Sequence, residues 1–468
     1  MKKLFGTDGI RAVAGQSPLD APTVYAIGLA LAKTLSAKSQ TPKVLIGMDT
    51  RESSTWIAAT LTAGLDAGGA SVENAGVITT PAIAFLTHTH GFATGIVISA
   101  SHNPWQDNGI KLFGPDGYKL PDALELAIED EIFRQLESDR TDTTLGTPPP
   151  APGTLDRSTA ASAAATAPPP VNEADRPEYV RFLLAAVPGL SLDGHRIVVD
   201  CANGAASSVA PQLFADLGGE AIITHASPDG RNINENCGAL HPDIVAAAVK
   251  HHKASMGITF DGDADRALFA DEHGNVVNGD AVLLLAARDL QAQGLLANST
   301  VVATTMSNMG LEAALKRSNI RMLRANVGDK YVLEQMIATG AALGGEQSGH
   351  IIFSGRSTTG DGLLTALLLL DIVHRSGKTL SELVADLKVF PQVIVNVKVR
   401  EKKALDTIPT VVSAIAAAEA ELSDSGRVVI RYSGTEALAR VMIEAESEPL
   451  MRHHADAIAH AIRTELGI

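Results

Sequence analysis

Short apolar runs punctuate the chain at Val44-Leu45-Ile46, Ile96-Val97-Ile98, Ile197-Val198-Val199 and Val301-Val302-Ala303. Runs without polar alternation suit strands covered on both faces. From Lys43 a unit recurs: an apolar strand, a polar loop, a helical stretch ending near glycines, then another strand. In one unit the helix from about Ser54 stops at Ala67-Gly68-Gly69 before Ala70-Ser71-Val72; in another the stop is Leu217-Gly218-Gly219 before Glu220-Ala221-Ile222-Ile223. A third unit opens at Val301 and carries Gly344-Gly345. Glycine caps helix ends, and alternating strand and helix predict mainly parallel sheets.

After Leu380 the pattern changes. Val393-Ile394-Val395-Asn396-Val397-Lys398-Val399 alternates like a half-exposed strand, residues 408–422 suit an amphipathic helix, and Arg427-Val428-Val429-Ile430 is a further strand. The expected fold class is α/β: three related α/β domains with mixed, mainly parallel sheets, plus a smaller α+β C-terminal domain. Their expected bounds are 1–150, 151–256, 257–375 and 376–468. Between Thr141 and Pro170 the chain turns to proline, alanine, serine and threonine, which reads as a linker or mobile insertion without chemistry.

At 468 residues the chain is too long for one hydrophobic core. Its formal charge of −15 argues against nucleic acid or an anionic membrane as partner, so an anionic substrate must be met by local basic clusters. Cys201 and Cys237 are the only cysteines, too few and too far apart for a disulfide scaffold or zinc spacing, which suits a reducing cytoplasm. Met1-Lys2-Lys3-Leu4-Phe5 begins like a signal peptide, but Gly6-Thr7-Asp8-Gly9 follows where a long apolar region should be. The apolar run at residues 363–370 is too short to cross a bilayer and reads as a buried helix.

Two apolar runs end in reactive side chains. Gly95-Ile96-Val97-Ile98-Ser99-Ala100 leads to Ser101-His102-Asn103-Pro104, and Pro104 stops a helix from starting at once. Ser101 is thus expected on a loop beyond a strand's carboxyl end, where open α/β sheets bind ligands and where a hydroxyl can carry a phosphoryl group. Taken alone, the tetrapeptide also fits a plain turn. Ile258-Thr259-Phe260 runs into Asp261-Gly262-Asp263-Ala264-Asp265-Arg266, with carboxylates at alternate positions. Such oxygens can converge on one hard cation, and Mg²⁺ binds through a few carboxylates plus phosphate oxygens. A helix-loop-helix calcium site is excluded, because Arg266 stands where its glycine is needed and no helix precedes the loop.

Together with Phe5-Gly6-Thr7-Asp8-Gly9-Ile10-Arg11, Gly345-Glu346-Gln347-Ser348-Gly349-His350 and Arg431-Tyr432-Ser433-Gly434-Thr435-Glu436, these stretches resemble the five motifs of the α-D-phosphohexomutases, in order and nearly end to end. Gln347 makes the sugar loop similar to that of the glucosamine branch. The resemblance implies domains arranged around a central cleft and a cytoplasmic isomerase interconverting glucosamine 6-phosphate and glucosamine 1-phosphate, feeding amino-sugar nucleotide and cell-wall precursor synthesis. Ser101 would be a phosphoserine that passes its phosphoryl group to a sugar phosphate, with a hexosamine 1,6-bisphosphate as intermediate or activator. One Mg²⁺ per chain would sit between Asp261, Asp263, Asp265 and the seryl phosphate on Ser101. Small-molecule sugar phosphates are the expected partners, without nucleic acid or membrane, and a homodimer is the assembly to test.

The resemblance also distributes roles. Lys111 or Arg11 would help move the proton; for Lys111 to act as a base, burial or nearby cations must depress its pKa. His102 would orient the seryl phosphate, while Arg266 would either neutralise the carboxylates or touch phosphate. Glu346, Ser348 and His350 would hydrogen-bond the sugar. Arg431, Ser433, Gly434 and Thr435 would cradle the phosphate that does not react. Ala437, Met48 and Ala12 depart from the pattern, standing where proline, a basic residue and glycine are expected. Competing readings are a mutase for glucose or mannose phosphates, a Mg²⁺-dependent sugar-phosphate phosphatase, and a binding protein without turnover. A second phosphate grip favours a mutase, since simple hydrolysis does not need one.

Overall fold

The computed structural model describes residues 4–6, 8–36, 41–138, 167–433 and 437–468. The expected linker at 141–170 therefore lies outside the described residues up to residue 166. The chain divides into two compact units, Met1–Thr305 with Leu323–Val384, and Met306–Met322 with Ala385–Ile468.

The first unit is built on three sheets. In the first, β1 (Ile10–Val13), β2 (Lys43–Met48), β3 (Ser71–Val77), β4 (Thr94–Ile98) and β5 (Asp107–Phe113) lie in the order β1-β5-β4-β2-β3. β2 runs parallel to β3 and β4, whereas β5 returns antiparallel to β4 and β1 lies antiparallel to β5. Every residue of β4 is buried, as its unbroken apolar run requires. The helices of this layer are α1 (Ala21–Ser36), α2 (Glu52–Ala67), α3 (Thr80–His90) and α4 (Asp122–Ser138). Glycine lets α1 and α2 approach closely: a Cβ on Gly28 would lie 2.3 Å from the Leu61 carbonyl oxygen, and one on Gly64 would lie 2.2 Å from that of Tyr25.

The second sheet repeats the plan. After α5 (Asp175–Ala185) come β6 (Arg196–Asp200), α6 (Ala210–Asp216), β7 (Glu220–Thr224), α7 (Pro242–His252), β8 (Met256–Phe260), β9 (Ala267–Ala270) and β10 (Val276–Val277), in the order β10-β9-β8-β6-β7. β8 is parallel to β6 and antiparallel to β9. The aspartate loop joins β8 to β9, so it hangs from the second sheet, and the boundary drawn after residue 256 cuts β8. The apolar run of β8 closes this sheet's parallel part and does not open a new layer.

In the third layer, α8 (Gly279–Ala292), β11 (Thr300–Thr304), β12 (Arg321–Ala325), α10 (Asp329–Thr339), β13 (Leu343–Gly345) and β14 (Ile351–Phe353) give the order β12-β11-β13-β14, while α9 (Met309–Arg317), between β11 and β12 in the chain, belongs to the second unit. β13 is parallel to β11 and antiparallel to β14. The serine, aspartate and sugar loops are therefore one and the same connection in three related sheets, the step from the last parallel strand to its antiparallel return. α11 (Gly362–Ser376) buries the apolar run at 363–370, and α12 (Leu380–Val384) follows it. No described helix is long and apolar enough to cross a membrane.

In the second unit β15 (Gln392–Lys398), β16 (Gly426–Tyr432) and β17 (Leu438–Ala445) form an antiparallel sheet in the order β15-β17-β16. α13 (Pro409–Leu422) and α14 (Glu448–Leu466) supply Val411, Leu422, Ile458 and Ile462 to a core shared with Val397, Val441 and Ile443. The half-apolar alternation of β15 reflects this single covered face.

One tether of the first unit is sensitive to pH. Buried Asp361 caps α11 by accepting the Leu364 N–H at 2.9 Å, and it accepts the Tyr179 hydroxyl of α5 at 2.7 Å. Burial nevertheless pushes its pKa up to about 6. A carboxyl with a raised folded pKa contributes stability at low pH that is lost as pH rises through the folded value. Asn keeps one acceptor oxygen for the cap, and its amide can donate to the Tyr179 hydroxyl instead of accepting from it, without the charge. Asp361→Asn should therefore exceed the parent in stability at pH 8 by about 1–3 kcal/mol and match it near pH 4, as measured by thermal melts at the two pH values.

Candidate active site

Ser101 lies in the connection between β4 and β5 with φ of +52°, a left-handed backbone that a serine adopts only when its surroundings enforce it. Its N–H donates to Ser99 Oγ at 2.9 Å. Its own Oγ, buried, donates to Asp261 Oδ2 at 2.5 Å and lies 3.2 Å from His102 Nδ1. Burial, with Arg266 and Arg11 nearby, pushes the His102 pKa down to about 4. The imidazole is therefore neutral at physiological pH.

Asp261, Asp263 and Asp265 each bring a carboxylate oxygen within 4.8 Å of the others, in a fully buried corner. Positive φ at Ala264 bends the loop so that alternate side chains converge. Asp263 Oδ1 and Asp265 Oδ1 are buried without a hydrogen-bond partner among the described residues, and burial together with repulsion from Asp265 and Asp263 drives the Asp261 pKa well above the usual carboxylate range. Orphaned oxygens, an all-oxygen donor set and unrelieved repulsion fit a hard dication.

Lys111 of β5 is buried and reaches Asp263 at 2.8 Å, Asp8 at 3.0 Å and Asp265 at 3.5 Å. Burial alone would depress its pKa, but Asp263, Asp8 and Asp265 outweigh it and the pKa is raised. The depressed value needed for a base is not what this geometry produces; the side chain is held as an ammonium. Asp8 also pairs with Arg11 and with Lys119, which bridges to Asp329 at the start of α10. His350 closes the circuit, with Nδ1 3.6 Å from Asp265 and Nε2 3.8 Å from Asp329. Asp329, Lys119, Asp8, Lys111 and Asp265 thus form a run of alternating charge whose two ends His350 spans; its Nε2 accepts the Gly360 N–H at 3.1 Å, while Asp265 and Asp329 raise its pKa against the opposing effect of burial.

A cavity of about 370 Å³ opens onto this run, lined by Arg11, His102, Arg266, Gly328, Glu346 and His350 among others, within the usual range for small-ligand sites. The Arg266 guanidinium is 3.8 Å from Asp265, as expected of a group that neutralises the carboxylates, and the side chain also lines the cleft. Glu346 accepts the Gly328 N–H at 3.1 Å. Ser348 is not among the cleft-lining residues, although its Oγ is buried without a partner among the described residues. Gln347 donates to Asp280 at 3.2 Å, which ties the loop to the first turn of α8.

On the second unit Arg431 stands directly opposite Arg440 across β16 and β17, and both line a cavity of about 360 Å³. Ser433 donates its N–H to Leu438 at 2.9 Å, and its carbonyl accepts from Lys402 at 2.6 Å. Gly434 and Thr435 lie outside the described residues.

Asp8, Lys119, Asp329 and Arg440 were not picked out by sequence reasoning. Asp8 was inside a quoted motif, and Arg440 follows from hairpin register once β17 is recognised; Lys119 and Asp329 carry no local signal.

Four profiles of the phosphoglucomutase/phosphomannomutase family match in succession: alpha/beta/alpha domain I at residues 2–139, domain II at 177–274, domain III at 278–390 and the C-terminal domain at 394–461. The chain belongs to the phosphoglucomutase/phosphomannomutase family. A phosphoglucosamine mutase of Koribacter versatilis is 58% identical over 100% of this chain and 98% of its own length. Among solved structures, a phosphoglucomutase/phosphomannomutase family protein from Burkholderia thailandensis superposes with a TM-score of 0.75 at 23% identity, covering 100% of both chains. The Aspergillus fumigatus N-acetylphosphoglucosamine mutase, solved with GlcNAc-6P and magnesium, gives 0.66 at 22% identity over 99% of this chain and 96% of that one. At these identities the two structures establish a shared family fold.

Removing the shared cation of the carboxylate corner should be costly. Lys111→Met leaves Asp263, Asp8 and Asp265 facing one another and should lower stability by roughly 3–5 kcal/mol. Thermal melts in Mg²⁺ and in chelator test this; Mg²⁺ should recover part of the loss if the aspartates bind it.

Proposed function

We infer that the chain acts as a phosphoglucosamine mutase, interconverting glucosamine 6-phosphate and glucosamine 1-phosphate. The observation that carries the reaction type is the buried Ser101 Oγ, 2.5 Å from Asp261 in the carboxylate corner beside the cleft. The amino sugar is supported by the relative at 58% identity and by a second phosphoglucosamine mutase, from Solibacter usitatus, 51% identical over the full chain. Both cysteines are free and buried, which supports a reducing compartment, the cytoplasm.

In this reading Ser101 carries the phosphoryl group. In the first half-reaction a free sugar hydroxyl, O1 of the 6-phosphate or O6 of the 1-phosphate, bonds to phosphorus as the bond from phosphorus to Oγ breaks. The hydroxyl proton ends on Oγ. The second half runs the same exchange in reverse with the bisphosphate turned end for end. His102, neutral and 3.2 Å from Oγ, is placed to pass the proton, while Lys111 and Arg11, both held as cations, meet the charge of the transferring group. Asp261, Asp263 and Asp265 would hold Mg²⁺, which when bound would neutralise charge on the phosphoryl oxygens. Glu346 and His350 hydrogen-bond the sugar, and Arg431 with Arg440 takes the phosphate that does not react. That second phosphate site favours a mutase over a phosphatase.

The test is turnover with Mg²⁺ on glucosamine, glucose and mannose phosphates, following both isomer and free phosphate. Isomer should form without net hydrolysis, with kcat/KM highest for the glucosamine substrate; a higher value for glucose 1-phosphate would overturn the substrate, and stoichiometric free phosphate the reaction. Ser101→Ala should abolish turnover without lowering the melting temperature. Arg431→Ala should reduce kcat/KM in both directions by roughly tenfold to hundredfold.

A further inference from the structure

We propose that Asn234 of the second sheet's layer is a positioning residue for phosphoryl transfer, acting with Arg51 as a two-sided clamp on the serine loop. Asn234 Nδ2 donates to the Ser101 carbonyl at 2.9 Å and to the Asn103 carbonyl at 3.1 Å. Arg51 NH2 donates to the same two carbonyls, at 3.1 and 2.6 Å. Arg51 is itself fixed, because its guanidinium pairs with buried Asp49, whose carboxylate also accepts the Arg51 N–H at 3.0 Å and the Ser54 hydroxyl at 2.9 Å. Four donations onto two carbonyls over-determine the Ser101–His102 and Asn103–Pro104 peptide planes. This is what a serine at φ of +52° needs in order to stay in a conformation its side chain disfavours.

The loop that carries Asn234 is anchored to the first layer independently. The Glu52 N–H donates to the Gly230 carbonyl at 2.9 Å, Arg231 Nε donates to Glu52 at 2.8 Å, and the Arg231 guanidinium lies 5.0 Å from the centre of the Trp105 ring. The choice of Asn at position 234 serves two ends: its φ is +59°, which asparagine tolerates better than other side chains, and its amide reaches across. Asp263, on the neighbouring aspartate loop, is held to the first layer by the Thr80 N–H and hydroxyl at 3.0 and 2.6 Å. The clamp therefore sets Oγ against a carboxylate corner whose own position is fixed from the same two layers.

This inference rests on Ser101 being the phosphoryl carrier, and the test separates the two claims. Asn234→Gly keeps the left-handed backbone and deletes only the amide; Asn234→Asp keeps the shape but turns acceptors toward two carbonyls; Arg51→Lys keeps the charge but loses the fork. Each variant is assayed for kcat, KM, melting temperature and the rate at which glucose 1,6-bisphosphate phosphorylates Ser101, followed by intact mass. Asn234→Gly should lower kcat and the phosphorylation rate roughly tenfold to hundredfold with KM unchanged, since Asn234 does not line the cleft and small misplacements of a reacting atom cost that much. Asn234→Asp should be slower still. A kcat for Asn234→Gly within twofold of the parent, or a fall explained wholly by lost folded protein, overturns the clamp. A parent enzyme that never acquires phosphate on Ser101 overturns the carrier instead.

Discussion

Three carboxylates cannot share a buried corner unless positive charge is brought to them, and much of the first unit is arranged around that requirement. Lys111 arrives from the first sheet, Asp8, Lys119 and Asp329 continue the alternation, and the imidazole of His350 from the third layer spans its two ends. Each charge has left water at a cost that only its neighbours offset, so the run is weak evidence for high stability and better evidence for one specified arrangement of three layers. The same field sets the protonation states of the site: it holds the lysine as an ammonium, while the two arginines facing the imidazole of His102 help keep it neutral.

The carboxylate corner and the serine loop solve different problems by related means. The corner is an electrostatic problem, relieved by mobile or fixed cations. The serine loop is a conformational one, relieved by donors that hold carbonyls in place. Both solutions draw at least one partner from a different layer than the one that carries the loop, which makes the docking of layers part of the chemistry.

Much of this was legible in the sequence where a signal is local. Unbroken apolar runs became β2, β4, β6 and β11, the alternating run became β15, and the stretch at 408–422 became α13 almost to the residue. Ser101 and the three aspartates were legible because a strand end followed by a chemically odd loop is a local pattern. What could not be read were consequences of layers meeting. Asn234, Lys119 and Asp329 act on residues far away in sequence, and nothing in their own surroundings announces it. The layer boundary failed for a related reason, since β8 looks like any opening strand until its partners are known. Lys111 shows the limit most clearly, because the sign of its pKa shift depends on three carboxylates from two other segments.

The serine, the aspartates and the sugar loop occupy one equivalent turn in three copies of a single strand-turn-strand plan. Each copy has been given a separate task, and no two tasks share a turn. On the reading proposed above, a change of substrate would be written in the third copy while the first two keep the phosphate chemistry. Diversification in such a molecule is a matter of rewriting one turn in three while keeping the bonds that tie it to the others, such as His350 with Asp265 and Asn234 with Ser101.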